Sequence, residues 1–339
     1  MKSLIGAVEI LTAFAMVGAC ARGPEARTAR DATAPSRRMV PISAGVAVEV
    51  VDWGGRGAPL VFLAGGGNTA HVFDRFAPQF TDHFHVVGIT RRGFGASASA
   101  PPPDDLDTLV ADVATVLDSL RLEKVVFVGH SIAGEEMTRF AEQHGARCAG
   151  LVYLDAAYDR SGIDTLAARQ PSTPAPRISA ADTASLASLR ALYARVMGVE
   201  EPESEIRATE GFDAADRYLG AVTSNALKAR LASGKQVAHY DRIHCRALAV
   251  YAVPDSVADV VPYYEELDAT GRAQADSLLR FTQHVVAESR VRIGRLPNFQ
   301  VVDVHGSNHY VFLQHPREVA DAMQTFLAME PASPRPKER

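Results

Sequence analysis

The chain has 339 residues, of which 47% are hydrophobic and 22% are charged, and its formal net charge at pH 7 is −5. This apolar content is sufficient for one large core or two small ones. The mildly acidic balance, without a recurring stripe of Lys and Arg, argues against nucleic-acid binding, which needs a basic surface. No repeat of fixed period is visible in the sequence, which argues against a solenoid.

The first twenty residues have the pattern of an export signal. Lys2 precedes a mostly apolar run that ends at Gly18, and this run is shorter than the ~20 apolar residues that a membrane-spanning helix needs. Residues 17–20, VGAC, resemble the bacterial lipobox, whose cysteine is lipidated and becomes the mature N-terminus, although Glu9 departs from that pattern. We therefore expect an exported protein, either a bacterial lipoprotein attached to the membrane through Cys20 or a periplasmic protein with a cleaved signal. An uncleaved anchor is the third alternative.

Two further segments are expected to lie outside the folded core. Residues 21–40 are rich in Arg, Ala and Pro without an apolar period, which predicts a flexible tether. Residues 331–339 are expected to be a disordered tail. The cysteines that remain are Cys148 and Cys245. They are either two buried thiols that pack as small hydrophobic side chains or a disulfide, which an exported location permits.

Between these ends, short apolar runs alternate with longer segments of helical periodicity. Strands are predicted at residues 46–53, 59–67, 83–90, 124–129, 148–157, 246–255 and 298–306. Helices are predicted at residues 104–122, 132–145 and 316–329. Strands that are almost continuously apolar and are separated by helices indicate a parallel sheet that is covered on both faces. In such sheets, ligands bind at the carboxyl ends of the strands.

This alternation stops at residues 158–242. The segment contains Pro, Ser, Ala and Arg with helical stretches such as 183–199 and without an apolar strand. It therefore predicts a helical cap that is inserted between two strands of the core, and the core itself is expected to comprise residues 41–157 and 243–330. Residues 261–290 are also helical and charged, and they either contribute to the cap or form a long crossover.

One serine lies where an apolar strand changes to a helical pattern. In KVVFVGHSIAGEEM, residues 124–137, Ser131 follows the strand and opens the helix. Such a turn exposes the hydroxyl at the sheet edge, and the helix N-terminus supplies the N–H group of Ile132 and a dipole that favours negative charge. Ser131 is therefore a candidate nucleophile, with an ordinary N-cap serine as the alternative. Ala133 stands where the motif G-x-S-x-G has glycine, and we expect Gly134 to relieve the crowding.

A serine nucleophile needs a base, and the base needs a carboxylate. His309 lies on a short loop between the last predicted strand and the final helix and is the preferred base, with His305 as its rival. Asp255 ends the strand that lies in sequence between the serine and this base, and it is the preferred carboxylate. Asp155 and Asp259 are the alternatives, and an aspartate at a strand end can also be a simple turn former.

A glycine-rich segment follows an early strand and is a candidate source of the second oxyanion donor. In LAGGGNT, residues 63–69, glycine allows the main-chain N–H to turn toward a substrate at little steric cost. Gly66 is the preferred donor beside Ile132, and Gly67 is the alternative. The same glycines give little support to a phosphate-binding loop, because no G-K-[ST] follows them.

The order Ser131, Asp255, His309, together with LAGGGN, TRRGFGAS, GHSIAG, VYAVPD and GSNHYVFLQHP, resembles the α/β-hydrolase superfamily over residues 42–330. The resemblance implies an α/β fold with an eight-stranded, mostly parallel sheet, helices on both faces and an inserted helical cap. It also implies a serine triad and no cofactor. The loop TRRGFGAS, residues 90–97, is expected to support the oxyanion side of the site.

The expected activity is hydrolysis of a small to medium-sized carboxylic ester through an acyl-enzyme intermediate, without a metal. Lactone hydrolysis, removal of an N-terminal proline and C–C bond hydrolysis are alternatives that use the same triad. The aminopeptidase activity needs an acidic anchor for the substrate amine. The carboxylates available for this, which are otherwise expected to be solvated, are Glu135, Glu136, Glu200, Glu201 and Glu203. From another class of function, the alternative is a tethered binding protein that has lost the chemistry.

Overall fold

The computed structural model describes residues 34–99, 102–159, 169–233 and 238–329. The predicted signal at 1–20 and the predicted tail lie outside these ranges, so export and the lipidation of Cys20 stay predictions from the sequence. Within the ranges, no helix is both long enough and apolar enough to cross a membrane.

A single large sheet forms the centre of the molecule. The strands are β1 Ser36–Ser43, β2 Val46–Gly54, β3 Ala58–Leu63, β4 Phe84–Ile89, β5 Val125–His130, β6 Cys148–Leu154, β7 Glu210–Phe212, β8 Tyr218–Ala221, β9 Arg246–Val253 and β10 Phe299–His305. Eight of them form this sheet in the order β1-β2-β4-β3-β5-β6-β9-β10. The pairs β1–β2 and β2–β4 are antiparallel and the other pairs are parallel. This confirms the predicted eight-stranded, mostly parallel sheet.

Both faces of the sheet are covered, which explains why its strands are almost continuously apolar. In β5, Val125 and Phe127 pack into a hydrophobic cluster on one face, whereas Val126 and Val128 pack into a cluster on the other. Successive side chains of a strand point to opposite faces, and here both faces exclude water. Every residue of β5 is therefore buried.

Helices cover the sheet and form the cap. They are α1 Leu106–Ser119, α2 Ala133–Gln143, α3 Leu186–Met197, α4 Glu203–Thr209, α5 Asn225–Ser233, α6 Val257–Val260, α7 Ala269–Ile293, α8 Val311–Gln314 and α9 Pro316–Ala328. Single 3-10 turns lie at Ala70–Phe73, Ala77–Phe80, Gly145–Arg147, Tyr240–Arg242 and Tyr264–Glu266. Helices α1 and α2 pack on one face of the sheet, and α9 packs with the turns that follow β3 on the other. The helices on both faces therefore agree with the predicted fold.

Within the described residues, the segment between β6 and β9 contains the helices α3, α4 and α5, and it has a small core of its own. Leu186, Leu189, Leu192 and Val196 share one face of α3 and pack in the same cluster as the first half of α7. The second half of α7 packs on the sheet through Val286, so this helix contacts both the cap and the core. The expectation of a cap without strands is wrong, because β7 and β8 form a short antiparallel hairpin.

The folded chain begins at a residue within the predicted tether, which was expected to extend to residue 40. Residues from Ser36 onward form β1, which pairs with β2, so the prediction of a flexible segment is wrong for residues 36–40. Within β1, Val40 alone is buried and most of the other side chains are exposed. The strand is therefore held mainly by main-chain hydrogen bonds, which leave no apolar pattern in the sequence.

The two cysteines of the core lie next to each other at the amino ends of β6 and β9. Cys148 begins β6 and is buried, Cys245 precedes β9 directly, and their Sγ atoms are 2.8 Å apart. The contact joins positions that are 97 residues apart in sequence. The two thiols are therefore adjacent in space although the whole cap separates them along the chain.

We expect these thiols to form a disulfide when an oxidant accepts their two electrons and two protons. Mass spectrometry of a non-reduced digest should detect a linked peptide, and dithiothreitol should lower the thermal unfolding midpoint, because a disulfide across a long loop contributes about 2–4 kcal/mol. The double variant Cys148→Ala/Cys245→Ala is the control, since its midpoint should not respond to dithiothreitol. Two free thiols after oxidation would contradict the prediction.

Candidate active site

Ser131 lies on a strained turn between β5 and α2. Its φ angle is 56°, in the left-handed region that residues with a Cβ atom rarely adopt. The Ser131 N–H group donates a hydrogen bond to Leu154 O at 3.3 Å, which ties the turn to the end of β6. The serine is 3% exposed and lines a cavity at the carboxyl edge of the sheet, which we call the main cavity. The turn therefore presents the hydroxyl at the carboxyl edge of the sheet, where the sequence predicted it.

Small residues around the serine make this turn sterically feasible. A Cβ atom added at Gly129 would lie 2.7 Å from Met137 Sδ, and one added at Gly134 would lie 2.2 Å from Ala156 O. Glycine is required at residue 134, where the contact is with the main chain, whereas a side chain at residue 129 would require the flexible end of Met137 to move. The Ala133 Cβ would lie 3.2 Å from a Cβ at residue 129, so alanine fits here because its neighbour has no side chain.

The carboxylate that contacts His309 is Asp155 rather than the preferred Asp255. The distance between His309 Nδ1 and Asp155 Oδ2 is 2.6 Å. Asp155 follows β6 directly, is buried and has a φ angle of 47°. Its other oxygen, Oδ1, accepts hydrogen bonds from the Tyr158 hydroxyl at 2.5 Å and from the Ala252 N–H group at 3.1 Å. The structure thus corrects the predicted pairing in favour of the alternative carboxylate.

Asp255 and His305 contact each other instead, and neither lines the main cavity. Asp255 Oδ1 lies 3.0 Å from His305 Nδ1, and the two side chains are 55% and 64% exposed. Asp259, the third candidate, accepts hydrogen bonds from the N–H groups of Asp255 and Ser256 at the start of α6. Because β9 ends at Val253, Asp255 lies two residues beyond the sheet, on the exposed side of the turn.

His130 supports the loop that carries His309, a role that the sequence analysis did not identify. The distance between His130 Nε2 and His309 O is 2.9 Å, and the two rings are 4.5 Å apart between centroids. His130 is buried and also packs against Tyr310 and Phe312. Its place immediately before the serine was the one signal in the sequence. The contact of Tyr158 with Asp155 had no sequence signal.

Gly66 and Ile132 present main-chain N–H groups close to the serine. Gly66 lines the main cavity together with Ser131, and both Gly66 and Ile132 line an adjoining second cavity. A Cβ atom added at Gly65 would lie 3.1 Å from Ser131 Cβ, so the glycine loop is in close contact with the turn. Within the described ranges, neither N–H group donates to another protein atom, as an oxyanion donor requires. The alternative donor, Gly67, has a φ angle of 96°.

Arg91, from the TRRGFGAS segment, holds the glycine loop in place. Its Nη atoms donate to Ala64 O at 2.9 Å and to Gly65 O at 3.3 Å, and its Nε atom donates to Glu136 Oε1 at 2.7 Å. These contacts fix the carbonyl groups that precede Gly66. Glu136, which was expected to be solvated, is instead buried beside Arg91, and burial raises its pKa.

The main cavity has a polar end and an apolar wall, and its volume is about 190 Å³. Ser131, Asp155 and His309 lie at the polar end. The apolar wall includes Val260, Phe281, Val285 and Val286 of α6 and α7, and the polar residues Asp259, Thr282 and Ser289 of the same helices also line the cavity. Among the residues that the structure describes, no cluster of His, Cys, Asp and Glu side chains has the geometry of a metal site.

Comparison with known proteins gives the family context of this site. The sequence model of a family described as "Alpha/beta hydrolase family" matches residues 60–322. A putative non-heme haloperoxidase of Mycobacterium phage D29 is 31% identical over 113 residues, which cover 33% of this chain and 41% of that protein. A non-heme chloroperoxidase of Streptomyces lividans is 36% identical over 120 residues, which cover 34% of this chain and 44% of that protein. The matches thus span less than half the length of these curated relatives.

Solved structures match over a larger part of the chain. A crystal structure of E-2-(acetamidomethylene)succinate hydrolase superposes with a TM-score of 0.63, and the match covers 87% of this chain and 100% of the other. The sequence identity over this match is 19%. At this level of identity, the similarity concerns the fold alone.

From the close packing around Ala133, we predict how substitutions at this position change the free energy of unfolding. Ala133→Gly should change the free energy of unfolding by about 1 kcal/mol or less, because only one methyl group and some helix propensity are lost. Ala133→Leu should destabilise the protein by about 1–3 kcal/mol through overpacking against Gly129 and Met137. Urea denaturation of both variants measures the two values. An Ala133→Leu variant as stable as the wild type would show that the turn is not tightly packed.

Proposed function

The chain belongs to the alpha/beta hydrolase family, and on this premise we propose that it is a serine hydrolase that cleaves a carboxylic ester through an acyl-enzyme intermediate. The observation that carries the proposal is the 2.6 Å contact between His309 and Asp155 in the cavity that Ser131 also lines. Nucleophile, base and carboxylate are recognised by such geometry rather than by their order along the chain.

In the first half of the proposed reaction, His309 accepts the hydroxyl proton of Ser131 while Oγ attacks the ester carbonyl carbon. Asp155 binds Nδ1 of the imidazole, so Nε2 is the nitrogen that takes this proton. The buried carboxylate stabilises the imidazolium that forms. The negative charge on the carbonyl oxygen is stabilised by the N–H groups of Gly66 and Ile132.

The second half of the reaction releases both products. The C–O bond of the ester breaks, the alcohol leaves with the proton that His309 held, and the acyl group stays on Ser131. Water then attacks the acyl carbonyl with His309 as base, which forms the carboxylic acid and restores the serine. Asp155 keeps the imidazole in the same orientation through both halves, because its other oxygen is held by Tyr158 and by the N–H group of Ala252.

The shape of the main cavity supports an ester of small to medium size. A volume of about 190 Å³ and an apolar wall from α6 and α7 suit an uncharged hydrocarbon portion of the substrate. A lactone would follow the same steps with the alcohol still attached to the acyl group. A panel of p-nitrophenyl esters, lactones and aminoacyl amides therefore distinguishes among the alternatives that share this triad.

The nucleophile assignment is tested with Ser131→Ala. This variant should lose p-nitrophenyl acetate hydrolysis by a factor of about 10⁴ or more and keep its thermal unfolding midpoint. A fluorophosphonate probe should label the wild type at Ser131, as read by peptide mass spectrometry, and should not label the variant. A folded wild type that is neither labelled nor active would favour the tethered binding protein over the enzyme.

The carboxylate assignment is tested with two matched variants. Asp155→Asn should lower kcat/KM for the same ester by about 10³–10⁴, because the amide no longer holds the correct tautomer of His309. Asp255→Asn should stay within about twofold of the wild type, because an exposed ion pair contributes little. The opposite ranking of the two variants would overturn the assignment.

A further inference from the structure

The second cavity lies between the glycine loop and the cap, next to the proposed oxyanion donors. Its volume is about 140 Å³. We call it the acid chamber and define it by its lining residues Gly66, Ile132, Tyr193, Glu201 and Glu210. Gly66 also lines the main cavity. A substrate whose carbonyl oxygen contacts Gly66 and Ile132 would therefore have one end within reach of the chamber.

Carboxyl groups are concentrated at this chamber. Glu201 and Glu210 line it, and they are 5% and 7% exposed. Glu205 lies directly behind, with no exposed surface, and accepts hydrogen bonds from the Thr69 N–H group at 2.9 Å and from Asn68 Nδ2 at 3.0 Å. Glu201 accepts a further hydrogen bond from the same Asn68 Nδ2 atom at 3.2 Å. Glu201 and Glu205 are therefore bonded to the glycine loop, and Glu210 lines the same cavity.

Glu210 lies between neutral phenol groups, and one of its oxygens makes no hydrogen bond of normal geometry within the described part of the chain. Its Oε1 atom accepts a hydrogen bond from the Tyr193 hydroxyl at 2.6 Å, whereas Oε2 is buried and has no partner of comparable geometry among the described residues. The Tyr218 hydroxyl also lies beside this carboxylate, and burial, the charge of Glu210 and a hydrogen bond with Glu210 raise the pKa of the phenol to about 12. A buried carboxylate oxygen without a well-placed donor is costly. A positively charged N–H donor would form a stronger hydrogen bond with this carboxylate than the neutral phenols do.

The charges of Arg75 and His71 act on Glu201 and Glu205, respectively, but no cation forms an ion pair with Glu201 or Glu210 within the described residues. Lys228 lines the chamber but forms no ion pair with Glu201 or Glu210 in the described part of the chain. Arg75 donates to the main-chain carbonyl of Glu201 and pairs with Glu200 on the exposed side. Burial raises the pKa of Glu201, and the charge of Glu205 raises it further. Because its pKa is about 8, Glu201 is largely protonated at pH 7, and a cation bound in the chamber would favour its ionised form.

Aromatic side chains complete the wall. Phe94, Tyr193 and Tyr310 line the acid chamber together with its carboxyl groups. Aromatic faces attract cations, most strongly where water is excluded. Carboxylate oxygens and aromatic rings around one small cavity suit a ligand group that is compact, positively charged and a hydrogen-bond donor. A primary ammonium group has these properties, whereas a carboxylate or phosphate would be repelled.

We infer that the acid chamber binds a primary ammonium group of the substrate, with Glu210 as the principal contact. The link to turnover rests on the proposed serine hydrolase function, whereas binding of the ammonium group itself does not. The preferred substrates are then esters that carry an ammonium group within reach of the carbonyl. Glu201, which was expected to be a solvated charge, has a place in the chamber wall, and Glu203 lies on the surface beside Arg190 and Arg207.

The binding step is tested by calorimetric titration of the protein with benzylamine at pH 7, with benzyl alcohol as the neutral analogue. Benzylamine should bind at least roughly tenfold more tightly than the alcohol, because hydrogen bonds to a charged partner are the stronger ones. Glu210→Gln, which keeps the shape and removes the charge, should abolish this preference. Glu203→Gln removes an equal charge from the exposed surface of the cap and should retain it.

The link to turnover is tested with paired substrates that differ only in charge. p-Nitrophenyl 4-(aminomethyl)benzoate is compared with the 4-ethylbenzoate, and 4-(aminomethyl)benzyl acetate with 4-ethylbenzyl acetate, so that the ammonium group lies in either portion of the ester. The kcat/KM ratio of at least one pair should favour the ammonium ester by roughly tenfold in the wild type and in Glu203→Gln. The same ratio should approach one in Glu210→Gln.

These outcomes separate the two proposals. Equal affinity of the wild type for benzylamine and benzyl alcohol overturns the inference without the use of any variant, even if Glu210→Gln fails to fold. Ester hydrolysis that depends on Ser131 but shows no charge preference in either pair also overturns it and leaves the serine hydrolase intact. Selective benzylamine binding by a protein that no fluorophosphonate labels would support the chamber and refute the proposed hydrolysis.

Discussion

The contact between Asp155 and His309 is the interaction on which the candidate site depends. It joins the carboxyl end of β6 to the loop after β10, across the intervening strand β9. The Asp155 side chain is fixed on its other side by Tyr158 and by the N–H group of Ala252 in β9. The sheet therefore sets the position of the imidazole, and the strained turn at Ser131 sets that of the hydroxyl.

Much of this arrangement could be predicted from the sequence, because it depends on local patterns. The buried strands, the helices that separate them and the position of Ser131 follow from hydrophobic periodicity and from the short strand-to-helix segment. The choice between Asp155 and Asp255 could not be made in this way. Both follow apolar strands. Asp155 follows β6 directly with a positive φ angle, whereas Pro254 separates Asp255 from the end of β9, and these strand ends are properties of the folded chain.

Burial of polar groups was the other feature that the sequence could not reveal. Glu136 and Glu201 are charged residues of a type usually found at the surface. In the fold, however, Glu136 is buried beside Arg91 and Glu201 is buried within the cap. The side chains of β1 are mostly exposed, so the sequence has no apolar pattern there that would predict this strand, which is held by main-chain hydrogen bonds. In each case a long-range partner, rather than the local pattern, determines the environment of the residue.

The central claim is that Asp155, and not Asp255, holds His309. Proton NMR of the protein with ¹⁵N-labelled histidine measures this directly, since an imidazole N–H group bonded to a buried carboxylate resonates strongly downfield. We expect this resonance for His309 Nδ1–H in the wild type and in Asp255→Asn, and its loss in Asp155→Asn. A resonance that persists in Asp155→Asn and disappears in Asp255→Asn would contradict the account.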